Sequence, residues 1–321
     1  LISPLDLRES IFRKLYFDKK IEEIIEAKLA TEKFDLVHFE SYYTSFYISE
    51  RLKKYNTRLL FGTENIENKT YKNYVEYIAP FLLKPIFNIE VSKIKKEEEK
   101  LLKDADIVIA VTNSEAQIIN KLTNNKCFVV ENGVDLDYFR FVPKKAFRLT
   151  EKNILFVGNF SYFPNIDAVK YFYNRVFKHV KISNIKFTII GKKSEKISFI
   201  NDKRVVKINY VCDIKNEYQK ADVFVAPIRI GGGTNFKILE AMASGTPVIT
   251  FSKRVKELGL ENDYDIVTVE NEIEFREKLE KLLEDEEFAQ KIAKNARKTI
   301  EKNYSWETIG NKLYKIWKEQ I

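Results

Sequence analysis

A short continuous apolar run, a loop and then an amphipathic helix recur along the chain, and this unit limits what it can fold into. Runs rich in β-branched and aromatic residues, without polar alternation, fit strands buried on both faces, as in parallel sheets. The first half predicts strands at residues 35–39, 58–61, 106–111 and 126–130. The second half predicts them at 153–157, 186–190, 205–208, 223–227, 247–251 and 266–269. Helical patterns separate the strands, which implies α/β layers joined by right-handed crossovers. At 321 residues the chain is long enough for two sizeable cores. The expected fold class is α/β, with two Rossmann-like domains.

The aperiodic stretch from Pro143 to Thr150 follows the turn Asn132-Gly133-Val134-Asp135 and sets the expected boundary. Residues 1–147 then form a first domain with four strands, and residues 148–304 a second with six. Residues 305–321 make a last helix, expected to pack back toward the first domain, with capping chemistry from Ser305 and Thr308. The charged run 93–100 offers the pairs Lys93/Glu97 and Lys95/Glu99 and reads as a solvated helix face. Apolar residues are 45% and charged residues 32%, which excludes a disordered chain. No stretch reaches the ~20 apolar residues of a membrane helix. Only two cysteines, Cys127 and Cys212, and two histidines, His38 and His179, are present, so neither a disulfide framework nor a zinc site is expected. A reducing, cytoplasmic setting follows from the cysteine usage. Lys and Arg number 55 against 47 Asp and Glu, an excess that favours phosphates or acidic lipids. Nucleic acid is not expected, since only this net charge speaks for it.

The segment Ala221 to Thr250 holds the most chemistry. Its strand runs into Arg229-Ile230-Gly231-Gly232-Gly233-Thr234, and a helix is predicted over 235–244. Consecutive glycines let backbone approach a ligand, and a helix start favours an anion. Gly245 sits where a left-handed cap is expected and Pro247 opens the next strand. Lys237 falls in the first helical turn, where a cation is unfavourable for the helix itself. Glu240, three residues on, shares its face. Such a lysine can meet a phosphate while the carboxylate accepts hydrogen bonds from a ribose diol. The plain alternative is a flexible loop beside a surface ion pair. Arg229 suits a phosphate or is a surface arginine.

The string Lys237-Ile238-Leu239-Glu240-Ala241-Met242-Ala243-Ser244-Gly245-Thr246-Pro247-Val248 resembles the donor-site signature of family 4 glycosyltransferases with the GT-B fold. Phe156-Val157-Gly158-Asn159-Phe160 with Pro164-Asn165-Ile166-Asp167 resembles the first strand and loop of that family's C-terminal domain. The Asn132-Gly133-Val134-Asp135 turn, the stretch from Ala105 to Glu115, and Gly62-Thr63-Glu64-Asn65-Ile66-Glu67 agree in order and spacing. The resemblance implies two Rossmann-like domains facing a cleft. It implies a retaining transferase that moves a sugar from a nucleotide diphosphate donor to a glycan or lipid-linked acceptor, with no cofactor and no obligatory metal. A non-catalytic nucleotide-sugar-binding subunit of a glycan assembly system is the alternative.

Carried over, Glu240 holds the donor ribose and Lys237 neutralises the leaving diphosphate. Gly158, Asn159, Gly231, Gly232, Gly233, Thr234 and Asn235 border the donor. Asp213, read as the N-cap of a helix over 214–220, lies near the nucleotide base. Two positions depart from the family. Gly232 stands where many members have a second glutamate, and Asn159 where many have an arginine. The chain starts at Leu1, past the family's opening strand and glycine loop, so its first domain is expected to be incomplete. On the acceptor side His38, Glu40, Glu64 and Asn65 are candidates, each with a structural alternative, and no catalytic base is assigned. Tyr42, Tyr43, Phe46 and Tyr47 are read as lining an acceptor cleft. The stretch 71–87 is either a membrane-surface segment, placing the protein at the inner membrane face, or a core helix broken at Pro80 and Pro85; the core helix is preferred.

Overall fold

The structure is a computed structural model that describes residues 9–77, 79–123, 127–143, 151–230, 236–256 and 258–321. The expected boundary at 144–150 and the glycine loop at 231–235 therefore lie outside the described residues, as does Lys126 at the start of one predicted strand. The described residues divide into two compact units, one running to Glu131 and including Gly310–Ile321, the other running from Asn132 to Ile309.

The first unit holds a parallel sheet of β1 (Leu36–Glu40), β2 (Arg58–Thr63), β3 (Ile107–Ala110) and β4 (Cys127–Val129), in that order. Its helices are α1 (Ile11–Tyr16), α2 (Lys19–Thr31), α3 (Glu67–Tyr77), α4 (Lys84–Asp104) and α5 (Asn113–Leu122). Leu59, Leu60, Phe61 and Val108 are 0–1% exposed, as continuous apolar runs require of a parallel sheet covered on both faces.

Two expectations are corrected in this unit. Tyr42, Phe46 and Tyr47 are core residues packed with Phe39, Leu52 and Leu59, rather than a ligand-lining row. Tyr43 is half-buried against Phe12, Tyr16 and Tyr42. The charged run on α4 is a solvated face only in part, at Lys95, Lys96 and Lys100. Lys93 is buried and pairs with Glu90 at 3.1 Å, not with Glu97. Glu90 and Glu97 instead accept from the backbone N–H groups of Ile11 and Ser10 at the start of α1. Glu98, 2% exposed, accepts from the N–H of Glu67 at 2.6 Å and of Asn68 at 3.2 Å, at the start of α3. Helix starts carry unpaired amides, and carboxylates from a neighbouring helix satisfy them here. The predicted pair Lys95–Glu99 forms at 3.7 Å, with Lys95 exposed and Glu99 half-buried.

The second unit holds β5 (Lys152–Val157), β6 (Ile185–Ile190), β7 (Val205–Ile208), β8 (Val223–Ala226), β9 (Val248–Phe251) and β10 (Val267–Val269). All are parallel, in the order β10-β9-β8-β5-β6-β7. The helices are α6 (Phe163–Tyr171), α7 (Ile214–Lys220), α8 (Phe236–Ala243), α9 (Ser252–Val255), α10 (Glu272–Glu284) and α11 (Glu286–Asn303); α12 (Trp306–Gln320) closes the chain, counted with the first unit from Gly310 on. Ser305 caps α12 by accepting from the N–H of Thr308 at 3.0 Å, as expected. The core is aromatic: Phe156, Phe160, Phe172, Phe177, Phe187, Phe224 and Phe275 are each under 2% exposed. From β5 the chain winds to one side through β6 and β7, then returns beside β5 as β8 and winds to the other side. The strand order therefore reverses between β5 and β8. In open α/β sheets a crevice forms outside the carboxyl ends of the strands at such a point.

Candidate functional site

The site is built from what leaves β5 and β8 at that switch point. After β5 the chain passes Gly158, whose N–H donates to the Ile190 carbonyl at 2.9 Å. Gly191, at φ +146°, lies so close that a β-carbon on it would sit 1.9 Å from the Gly158 carbonyl oxygen. The two strand ends are thus pressed together, with backbone where side chains would stand. The loop then enters α6, whose second residue is Pro164. Asn165 follows and is 7% exposed.

α8 carries Lys237 and Glu240. Both are half-buried. Lys237 Nζ donates to Asn165 Oδ1 at 2.7 Å and lies 4.8 Å from the centre of the Phe156 ring. Burial pushes the Lys237 ammonium down to about 8, against the opposing pull of the Glu240 charge. Burial likewise raises the Glu240 carboxyl above its ordinary value, opposed by Tyr218 and Lys237. The fully buried Tyr218 of α7 donates its hydroxyl to Glu240 Oε2 at 2.7 Å. Tyr218 is itself fixed through its carbonyl, which accepts from Thr246 Oγ1 at 2.6 Å. A cation and a carboxylate are thus held on one helix face by neutral partners, each with hydrogen-bonding capacity left. α8 ends at Gly245, φ +81°, the left-handed cap the sequence predicts.

The other predicted donor residues are placed as follows. Asn159 faces its own loop, with Oδ1 accepting from the Ser161 N–H at 2.9 Å. The Arg229 guanidinium grips Asp167 through two nitrogens, at 2.7 and 3.3 Å, and lies 4.3 Å over the Tyr171 ring. Its planar fork is already filled by a carboxylate. Asp213 caps α7 as predicted, accepting from the Lys215 N–H at 3.2 Å, and also accepts from the Tyr138 hydroxyl at 2.9 Å. Gly231, Gly232, Gly233, Thr234 and Asn235 lie outside the described residues.

Within the first unit, His38 and Glu40 come together at the end of β1, with Nε2 and Oε2 2.8 Å apart. Gly62 on β2 makes the room, since a β-carbon there would sit 2.5 Å from Glu40 Oε2. The His38 ring also meets Trp317 edge-on, at 5.7 Å. Glu64 is exposed and Asn65 half-buried in the turn after β2. Asn165, Tyr218 and Trp317 received no site role from the sequence. Asn165 was visible only as part of a Pro-Asn motif. Tyr218 and Trp317 sit at apolar positions of helical patterns, where periodicity signals core.

The sheet order and its switch point define a doubly wound, Rossmann-type α/β domain. Two family models match in tandem: Glycosyltransferase Family 4 over residues 2–138 and Glycosyl transferases group 1 over residues 151–285. The two matches together make the chain similar to family 4 glycosyltransferases in both of its halves. It is 28% identical over 180 residues to an uncharacterized glycosyltransferase of Methanocaldococcus jannaschii, covering 52% of this chain and 45% of that protein. It is 28% identical over 144 residues to the capsular polysaccharide biosynthesis glycosyltransferase CapM of Staphylococcus aureus, covering 42% of this chain and 38% of that protein. These matches span less than half the length of either relative. Among solved structures, sucrose-phosphate synthase of Thermosynechococcus elongatus superposes with a TM-score of 0.73 at 18% identity, covering 96% of this chain and 78% of that one. Anabaena Alr3699/HepE in complex with UDP and glucose gives 0.69 at 13% identity, covering 97% and 83%. At these identities the likeness establishes the fold, that of the GT-B glycosyltransferases.

Proposed function

We propose that the protein transfers a sugar from a nucleoside diphosphate donor to a glycan or lipid-linked acceptor, with retention at the anomeric carbon. The observation that carries this reading is the Lys237–Glu240 pair on α8, each member held by a neutral partner at the sheet's switch point. Lys237 neutralises the charge that develops on the leaving diphosphate, the electrostatic task of such a transfer. Glu240 keeps acceptor sites free for the ribose hydroxyls while Tyr218 fixes its orientation. Gly158 and Gly191 bring backbone close to the donor. Chemistry with an ammonium and backbone donors needs no obligatory metal, so transfer should persist in EDTA. The binding of UDP by Anabaena Alr3699/HepE supports a nucleotide-sugar donor.

The test has two parts. Uridine, guanosine and adenosine diphosphates are screened for thermal stabilisation, which reports binding to the folded state and selects the base. Transfer is then followed with the matching nucleotide sugars, and both Lys237→Ala and Glu240→Ala should nearly abolish it while folding normally. Nucleotide binding without transfer to any acceptor would instead favour a non-catalytic binding subunit.

The membrane face belongs to the same reading. Phe81 and Leu82, between α3 and α4, are 83% and 85% exposed, so the preferred core-helix reading of 71–87 does not hold there. Two bare apolar side chains on a chain of net charge +8 suit an anionic lipid surface, where a lipid-linked acceptor resides.

A further inference from the structure

We propose that Asn165 is a positioning residue for Lys237, and that Gly158 is glycine in order to leave Asn165 its place. The inference rests on the proposed donor site and adds the device that sets the lysine. Asn165 is buried near the start of α6, with both ends of its amide engaged. Its Nδ2 donates to the Asn159 carbonyl at 2.8 Å, which orients the amide. Its Oδ1 is thereby turned to Lys237 and accepts from Nζ at 2.7 Å. The backbone N–H of Asn165 donates to the Tyr162 carbonyl at 3.1 Å, fixing the turn from which the side chain springs. A β-carbon on Gly158 would lie 2.8 Å from Asn165 Cγ and about 3.0 Å from both amide heteroatoms. Any side chain at 158 therefore displaces the amide.

A neutral acceptor is the chemically apt choice. An aspartate would lock the ammonium in an ion pair and cancel the charge a diphosphate needs. An apolar residue would leave a half-buried ammonium with one hydrogen-bond acceptor fewer. An amide oxygen orients Nζ without neutralising it. Arg229, paired with Asp167 two residues further along α6, shows the other outcome: a cation whose fork is occupied.

Two measurements on the full chain test this, one of them independent of any donor. Protein labelled with 13C-lysine is titrated by NMR, and the Lys237 Cε signal is assigned by its loss in Lys237→Met. Asn165→Asp should raise the Lys237 titration by about one pH unit or more, and Asn165→Ala should lower it. A merely structural asparagine would not shift the lysine in opposite directions in the two variants. In the second measurement, the diphosphate that binds best among UDP, GDP and ADP is titrated by calorimetry. Asn165→Asp, Asn165→Ala and Gly158→Ala should each lose about tenfold in affinity at pH 7. Unmoved titrations in both Asn165 variants would overturn the inference, even with Lys237→Met unable to bind. Wild-type binding by Lys237→Met would sink the donor-site reading itself.

Discussion

At the residue scale, the site turns on a lysine that the fold makes hard to charge. Its folded-state value, about 8, lies below the ordinary 10.5. The unfolded chain therefore holds more protons than the folded one between these values, and stability gains from this group as pH rises through that window. Below about pH 8 the lysine is charged in both states, and its burial is a standing cost. Lys237→Met should accordingly stabilise the fold at pH 7 by about 2 kcal/mol while abolishing transfer, a trade expected of functional sites. Chemical denaturation of both proteins checks it, and a destabilised Met variant contradicts it. On the proposed function the charged form meets the diphosphate, and affinity should then fall about fivefold between pH 8 and pH 9. Lys237→Arg, charged throughout, should show no such fall. The sequence pointed to Lys237 and Glu240 because a cation in a first helical turn conflicts with the helix dipole, and because of the motif around them. Their keepers were hidden. Asn165 acts from 72 positions away and Tyr218 from 22, and neither distance leaves a local pattern.

At the scale of elements, all ten strands lie where continuous apolar runs place them, because burial on both faces leaves a signature that needs no neighbour to read. α4 was misread for the converse reason. A helix run made of lysines and glutamates looks solvated unless one knows that amides of other helices face its acids. Glu98 shows the cost of that arrangement. Burial pushes its carboxyl up to about 7, although the amides of Glu67 and Asn68 pull the other way. The folded chain thus holds more protons than the unfolded one between about 4.5 and 7, and stability from this group falls as pH rises across that window. Glu98→Gln cannot ionise. Its melting temperature should lie below wild type at pH 5, and the gap should narrow or reverse by pH 8. A gap that stays constant between those pH values would place the ionisation of Glu98 elsewhere.

At the scale of the whole molecule, the proposed surface contact draws on a net charge of +8 and on the exposed apolar tip at Phe81 and Leu82. The tip exists because Pro80 and Pro85 bracket Phe81–Leu83 and keep it from joining α3 and α4 into one helix. Lys84 closes the end of α3 by donating to the Glu76 carbonyl at 2.9 Å, so the turn is held rather than frayed. Burying Phe81 and Leu82 in an interface is worth about 1.5–3 kcal/mol each, and each lysine that reaches an anionic leaflet adds about 1 kcal/mol. The sum supports reversible attachment and falls well short of insertion; among the described residues no helix is long and apolar enough to cross a membrane. Sedimentation with phosphatidylglycerol vesicles should therefore carry the protein down at 0.1 M salt, less at 0.5 M, and hardly at all with uncharged phosphatidylcholine. Phe81→Asp with Leu82→Asp should cut binding about tenfold or more and leave nucleotide affinity intact, because the substitutions fall outside the unit that holds Lys237 and Glu240. Equal sedimentation of the double variant would remove the tip from the surface and leave net charge as the whole attraction.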